Sequence, residues 1–159
     1  MKLLSDISYK QTYNKIDDNI ANDFYLPSMA SSLNYLRMSG YFGSTVFIIA
    51  WSSLKEFVLN NGRMRIICSP CLSKDDIIAI QEGQKAKVNE ILRNSLESEF
   101  QDLLSNETLR KPFKVLSALI ANGTIEIKIA YGKILPNFKQ LFHDKVGIFH
   151  DGINYVSFR

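Results

Sequence analysis

The segment "FHDKVGIFHDG", Phe142–Gly152, holds both histidines of the chain and indicates the kind of fold that surrounds them. The residues "HDKVGIF" are predicted to form a strand, and the Asp-Gly pair at Asp151-Gly152 is typical of the tight turn that follows it. Because side chains alternate along a strand, we expect His143 and Lys145 on one side. Val146 and Ile148 are expected on the other side, facing the core.

Helix and strand patterns alternate along the rest of the chain. Helices are predicted at residues 26–38, 45–61, from Ser73 until Gly83 interrupts or ends the helix, 88–104 and 109–123. Strands are predicted at 63–69 ("RMRIICS"), 124–130 ("TIEIKIA") and 154–158 ("NYVSF"), with a short aromatic segment at 39–44 ("SGYFGS"). This order predicts one α/β domain over residues 1–159, with a mixed sheet flanked by helices.

Composition excludes several classes of protein. Of the 159 residues, 46% are apolar and 22% are charged, which is ordinary for a globular domain and atypical of a disordered chain. The longest apolar run, Val46–Trp51, is much shorter than the roughly 20 residues that a membrane span requires. No secretory leader begins at Met1, so a cytoplasmic location is expected. A phosphate-binding GxxxxGK loop does not occur, which excludes an ATPase of that type within this sequence.

The motif "CSPC", Cys68–Cys71, raises the question of redox or zinc chemistry. A thiolate is stabilised at a helix N-terminus, but the expected N-cap is Ser73, which leaves Cys68 on the preceding strand. The other soft ligands, His143 and His150, are spaced more widely than the roughly three to five residues usual in zinc fingers. We therefore favour two ordinary cysteines in a reducing compartment, with thiol redox chemistry as a remote alternative.

Positive charge is concentrated toward the C-terminus. Residues 73–106 contain four basic and seven acidic side chains, whereas residues 107–159 contain eight basic and four acidic ones. The whole chain carries a net charge of +3, which permits nucleic-acid binding without demanding it. Lys133, Lys139 and Arg159 are the candidate nucleic-acid contacts, and the alternative is that these cations only keep exposed edges soluble.

His143 and Lys145 form the candidate catalytic pair. An ammonium group balances the charge of phosphate oxygens, while an imidazole with an ordinary pKa of about 6.5 attacks phosphorus or transfers a proton near neutral pH. The spacing alone also fits a strand with two polar residues and no catalytic role.

The segment "HDK" with its surroundings resembles the HxK motif of the phospholipase D superfamily, in its branch with a single motif per chain. The similarity covers residues 24–159. It includes "FYLPSMASSLNYLRMSGYFGS", "NNGRMRIICSPCLSKDDIIAIQEG" and "NGTIEIKIA", and it is closest to the phospholipase D-like domains fused ahead of bacterial superfamily 2 helicases. The resemblance implies a phospholipase D-like layered fold.

The resemblance also implies roles for particular residues. His143 would be the nucleophile, Lys145 the phosphate-binding group, and Asp151 the acidic residue that orients the imidazole. The family's acidic residue commonly falls five places after the lysine, where this chain has His150. A Gly-Ser pair and an Asn would follow Arg159, so we expect the sequence to be the N-terminal part of a longer, helicase-containing protein.

The activity implied is that of a metal-independent and cofactor-free phosphodiesterase acting on DNA, within a larger helicase or restriction/repair system. Two histidines are needed, and relatives with one motif obtain them by pairing two copies, so a homodimer is expected. The alternative is an inactive module retained for DNA binding or dimerisation. A lipid substrate is disfavoured because no amphipathic helix with a basic polar face stands out.

Overall fold

A five-stranded mixed sheet organises the chain. The computed structural model describes residues 2–105, 111–131, 134–135, 138–139 and 143–159. The strands are β1 (Asn34–Ser39), β2 (Arg63–Cys68), β3 (Ile125–Ile129), β4 (Ile134–Leu135), β5 (Phe138–Lys139), β6 (Lys145–His150) and β7 (Tyr155–Phe158). The main sheet has the order β3-β2-β1-β6-β7, and β4 pairs with β5 in a separate two-stranded sheet.

Six α-helices connect or precede the strands in the described residues. They are α1 (Leu26–Ala30), α2 (Val46–Ile49), α3 (Trp51–Leu59), α4 (Lys74–Lys87), α5 (Glu90–Leu104) and α6 (Pro112–Ala121). No helix in these ranges is long and apolar enough to cross a membrane. The result is a single α/β domain, and the predicted mixed sheet is confirmed.

The strand directions explain why the helices share one face of the sheet. β1, β2 and β3 are parallel, and the chain steps in one direction across them through α2–α3 and then α4–α6. Right-handed crossovers that step the same way place their helices on the same face. We call this the covered face, and the opposite one the open face.

Most of the core of the described residues lies between the helices and the covered face. Tyr35, Met64, Ile66, Ile125 and Phe149 supply the strand side of the core. The helices contribute buried apolar side chains, including Phe47, Trp51, Leu54, Phe57, Leu116 and Leu119. Arg65 and Ile67 alternate with the buried residues of β2 and are exposed on the open face.

Most helix and strand predictions are confirmed, but the predicted helix over residues 26–38 is wrong. Only Leu26–Ala30 is helical there, and Asn34–Ser39 is the central strand. Leu33 and Leu36 have helical spacing, yet β2 and β6 pair with β1 from both sides. Tertiary backbone pairing therefore overrides the local pattern.

Two further predictions are corrected by packing. Gly83 does not interrupt α4, because the helix passes it closely packed on α6: a Cβ at this position would lie 2.6 Å from the Ser117 carbonyl oxygen. The strand faces of β6 are also the reverse of the prediction. Gly147 and Phe149 are buried on the covered face, so Val146 and Ile148 lie on the open face.

Candidate active site

The predicted catalytic pair lies at one edge of the sheet. Ser39 at the end of β1 is paired with Cys68 at the end of β2 and with Lys145 at the start of β6. The Gly40 amide donates to the Asp144 carbonyl oxygen at 3.0 Å, which continues the β1–β6 pairing past the end of the strand. The start of β6 is therefore fixed beside the carboxyl ends of three parallel strands, where α/β sheets usually place ligand sites.

His143 and Lys145 are both exposed at this edge. Lys145 lies in β6 and His143 precedes the strand by two residues. Within the described ranges, no hydrogen bond or ion pair engages either side chain. Both groups are thus accessible to a polyanion from solvent, while the predicted shared orientation of the two side chains stays a prediction.

Arg159 lies at the same edge. β7 is antiparallel to β6, and Phe158 pairs with Gly147, so Arg159 follows near the start of β6 and is exposed. Of the other two predicted nucleic-acid contacts, Lys139 lies in β5 by its backbone. Lys133 and the side chain of Lys139 lie outside the described residues.

Polar contacts fix the loops that follow β1 and β2. The Ser69 hydroxyl donates to the Gly40 carbonyl oxygen at 2.5 Å and joins the two loops. Buried Asp76, in the first turn of α4, accepts from the Ser44 amide at 3.0 Å and from the Ser73 hydroxyl at 2.7 Å. Ser73 in turn caps the helix by accepting from the Asp76 amide, as predicted. These hydrogen bonds therefore hold the loops after β1 and β2 in place before any ligand binds.

The two cysteines do not form a reactive pair. Cys68 is fully buried and Cys71 is exposed, and both are free. Burial raises the pKa of the Cys68 thiol, and the nearby Asp76 carboxylate raises it further. A thiol with a raised pKa is a poor nucleophile and metal ligand near neutral pH. No group of three or more His, Cys, Asp or Glu side chains that could hold a metal ion occurs in the part of the chain described here.

Asp151 is not near His143, which corrects its predicted role. The two residues flank opposite ends of β6, whose six residues span about 20 Å. Its carboxylate is buried and accepts from the amides of Leu4 (2.7 Å), Ile153 (2.8 Å) and Asn154 (2.7 Å), and from the Asn154 side chain (3.0 Å). Asp151 therefore holds the β6–β7 turn and the N-terminal segment together, and it does not orient the imidazole of this chain.

These hydrogen bonds also explain the charge state of Asp151. Burial alone would raise its pKa, but the hydrogen bonds from Asn154, Leu4 and Ile153 outweigh burial and hold the pKa well below its ordinary value. The carboxylate is ionised at neutral pH and has no capacity left for a catalytic partner.

His150 is not a second catalytic histidine. It lies at the far end of β6 on the open face, opposite to that of Lys145. Its ring stacks on Tyr155 with centroids 4.1 Å apart, and its Nδ1 lies 3.4 Å from the Asn34 side-chain nitrogen. The prediction that His150 lies on the strand face opposite to that of Lys145 is confirmed, and its orientation relative to His143 stays a prediction.

Arg37 is a cationic side chain near this edge that the sequence did not single out. It pairs with Gly147 across β1 and β6, and its guanidinium lies 4.8 Å from the centre of the Phe158 ring. Its Nη1 is buried and lacks a hydrogen-bond partner within the described ranges. Because residues 26–38 were predicted to be one helix, an arginine on the covered face of a central strand was not expected.

Comparisons with known proteins give no relative for this chain. No protein-family model matches the sequence. Neither a curated protein nor a solved structure matches it.

Proposed function

We propose that this chain is a phospholipase D-like domain that hydrolyses phosphodiesters of DNA without a metal ion, through His143 as nucleophile. One observation carries the proposal: His143 and Lys145 are exposed together at the start of β6, beside the carboxyl ends of three parallel strands. The layered fold of that superfamily is part of the proposal. The internal position of the motif strand β6, between β1 and β7 of a mixed sheet, supports it.

The proposed hydrolysis uses the imidazole of His143 as nucleophile and the ammonium group of Lys145 as the phosphate-binding cation. A ring nitrogen of neutral His143 attacks phosphorus, forming an N–P bond while the P–O bond to the leaving strand breaks. Lys145 stabilises the negative charge on the non-bridging oxygens as the transition state forms. A protonated imidazole donates its proton to the leaving oxygen. Water then attacks phosphorus while the second imidazole, now neutral, takes a proton from it; the P–N bond breaks, and a phosphomonoester, free His143 and the reprotonated acid result.

The acid in this scheme is proposed to be His143 of a second copy. His150 is on the wrong face and at the wrong end of β6. A two-fold dimer supplies one His143 and one Lys145 from each subunit to one site. We propose that Arg159, which follows β7 near the start of β6, holds the DNA backbone, which predicts binding that weakens as salt concentration rises. A helicase in the same polypeptide is proposed as the physiological context on the motif resemblance alone.

The direct test is cleavage of supercoiled plasmid and bis(p-nitrophenyl) phosphate in the presence of EDTA. We expect His143→Ala to lower kcat/KM about 10³-fold or more, because the covalent step disappears. Lys145→Ala should lower it about 10²-fold. His150→Ala is the matched control, because it removes the other imidazole of the chain, and it should change kcat/KM less than about threefold. Equal activity of the wild type and His143→Ala would reject the nucleophile.

Sedimentation velocity tests the shared site. Active protein should sediment as a dimer, and activity in a purely monomeric sample would reject the two-fold arrangement while leaving the nucleophile intact.

One observation favours an inactive DNA-binding or dimerisation module as the second candidate. Asp151 is fully engaged at the other end of β6, so the imidazole has no acidic orienting partner from that position. This alternative predicts salt-dependent DNA binding without cleavage of any phosphodiester, and binding that is unchanged in His143→Ala.

A further inference from the structure

The open face of the sheet carries an aliphatic patch in its centre. Five side chains from β1, β2 and β6 form it and line a hollow of about 350 Å³. Leu36 is 40% exposed and Ile67 is 37% exposed. We call this the aliphatic patch, and its members are Leu36, Met38, Ile67, Val146 and Ile148.

An aliphatic patch is unexpected on a sheet face that meets water. Strands with one solvated face normally alternate apolar residues inward with polar residues outward. β2 follows this rule at Arg63 and Arg65 but breaks it at Ile67. β6 breaks it at Val146 and Ile148, where the apolar residues lie on the face opposite to the core. Such a face is usually covered by a helix.

The border of the aliphatic patch is positively charged on one side. Arg63 and Arg65 of β2 and Lys128 of β3 are exposed there. Among the described strands, Glu126 is the one acidic residue on the open face. It forms an ion pair with Lys128 at 3.3 Å. The border therefore has more cations than carboxylates, and at least the two arginines are available to an acidic partner.

We propose that the open face binds an amphipathic helix of a partner protein, with an aliphatic stripe and acidic residues beside it. Strands of six residues span about 20 Å, which corresponds to a helix of about 13 residues. Side chains at i, i+3, i+4 and i+7 would fill the hollow above Ile67 and Ile148. Acidic residues on one flank would then lie against Arg63 and Arg65.

The shape and charge of the aliphatic patch disfavour nucleic acid and a second copy of this chain as the ligand. Nucleic-acid bases stack on aromatic rings, but the centre of this face is aliphatic, and the ring of Tyr155 at its corner is stacked on His150. A second copy packed face to face would offer the arginines no acidic border, because the open face of the described strands has more cations than carboxylates in each copy. The proposal does not depend on catalysis at His143, because that site lies at an edge of the sheet.

The test uses two synthetic helical peptides of about 14 residues with the same leucine stripe, one with glutamate flanks and one with lysine flanks. Binding is measured by fluorescence anisotropy on the full chain. We expect the glutamate peptide to bind about tenfold more tightly than the lysine peptide, because two or three charge pairs form at the border. Arg65→Glu should remove this preference, and Ile148→Asp should weaken both peptides by more than about tenfold.

Lys85→Glu is the matched control, since it makes the same charge change on exposed residue 85 of α4, which packs on the helical side of the protein. It should leave the preference unchanged. Equal binding of the two peptides, or no binding up to millimolar concentration, would overturn the proposal. So would a concentration-dependent dimer abolished by Ile148→Asp, which would assign the patch to a second copy. Binding of a single-stranded oligonucleotide that is lost in Arg65→Glu, with no peptide binding, would assign it to nucleic acid.

Discussion

The two ends of β6 differ in whether their polar side chains are buried and hydrogen-bonded or exposed and unengaged. At the first end, His143 and Lys145 are exposed, with no hydrogen bond or ion pair in the described part of the chain. At the last end, the Asp151 carboxylate is buried and accepts four hydrogen bonds. Buried, satisfied polar groups contribute stability, whereas exposed and unengaged ones are free to bind a ligand. The strand therefore separates a structural end from a candidate catalytic end.

The largest stability effect is expected at the structural end. Asp151→Ala would leave the buried amide of Leu4 and the partly buried amide of Asn154 without their acceptor and would free the N-terminal segment. We expect a loss of about 3 kcal/mol in the free energy of unfolding, measured by urea denaturation. Asp144→Ala is the matched control, since Asp144 is exposed at the other end of β6, and it should cost less than about 0.5 kcal/mol. Equal losses in the two variants would remove the distinction between the ends.

The pH dependence of stability sharpens the same comparison. Because the pKa of Asp151 is lower in the folded protein than in the unfolded chain, its contribution is fully present above the unfolded pKa of about 3.9. The contribution is lost as pH falls below that value toward the folded pKa. We expect the wild type to lose more thermal stability between pH 5 and pH 3 than Asp151→Asn does. Parallel curves for the two proteins would contradict the hydrogen-bonded carboxylate.

A larger side chain in the middle of β6, at Gly147, should lower the stability of the protein. A Cβ at Gly147 would lie 2.2 Å from the Phe158 ring, so Gly147→Ala must displace that ring from its place beside Arg37. We expect a loss of about 2 kcal/mol from overpacking, measured by thermal unfolding. At Gly43 the nearest atom to an added Cβ is at 3.6 Å, so Gly43→Ala is the control and should be nearly neutral.

The sequence predicted the local features of this fold better than the distant ones. The Ser73 cap, the turn at Asp151-Gly152 and the strands β2, β3, β6 and β7 depend on neighbouring residues, and they were predicted. β1 was not, because its strand conformation depends on partners on both sides that are distant in sequence. Which face of β6 meets the helices was also predicted wrongly. The direction of the helical crossovers decides which face of the sheet the helices cover. The alternation of residues along one strand gives no information about that direction.

The difference between local and distant interactions also explains which candidate site residues were predicted correctly. The two-residue spacing of His143 and Lys145 is local, and both residues lie at the predicted end of the strand. The contact of Asp151 with Leu4 joins residues 147 positions apart, so no local pattern indicates it. Position in the motif suggested a catalytic role for Asp151, whereas its hydrogen-bond partners give it a structural one.

The smallest stability effect is expected at the candidate catalytic end. His143→Ala and Lys145→Ala remove exposed side chains that have no partner in the described ranges, so each should change the free energy of unfolding by less than about 0.5 kcal/mol. Urea denaturation measures this in the same samples that are used for cleavage of plasmid DNA. Loss of cleavage together with unchanged stability would assign the two side chains to function. A loss above about 2 kcal/mol in either variant would show that this end of β6 is structural too, because a residue that acts only on a ligand does not stabilise the free protein.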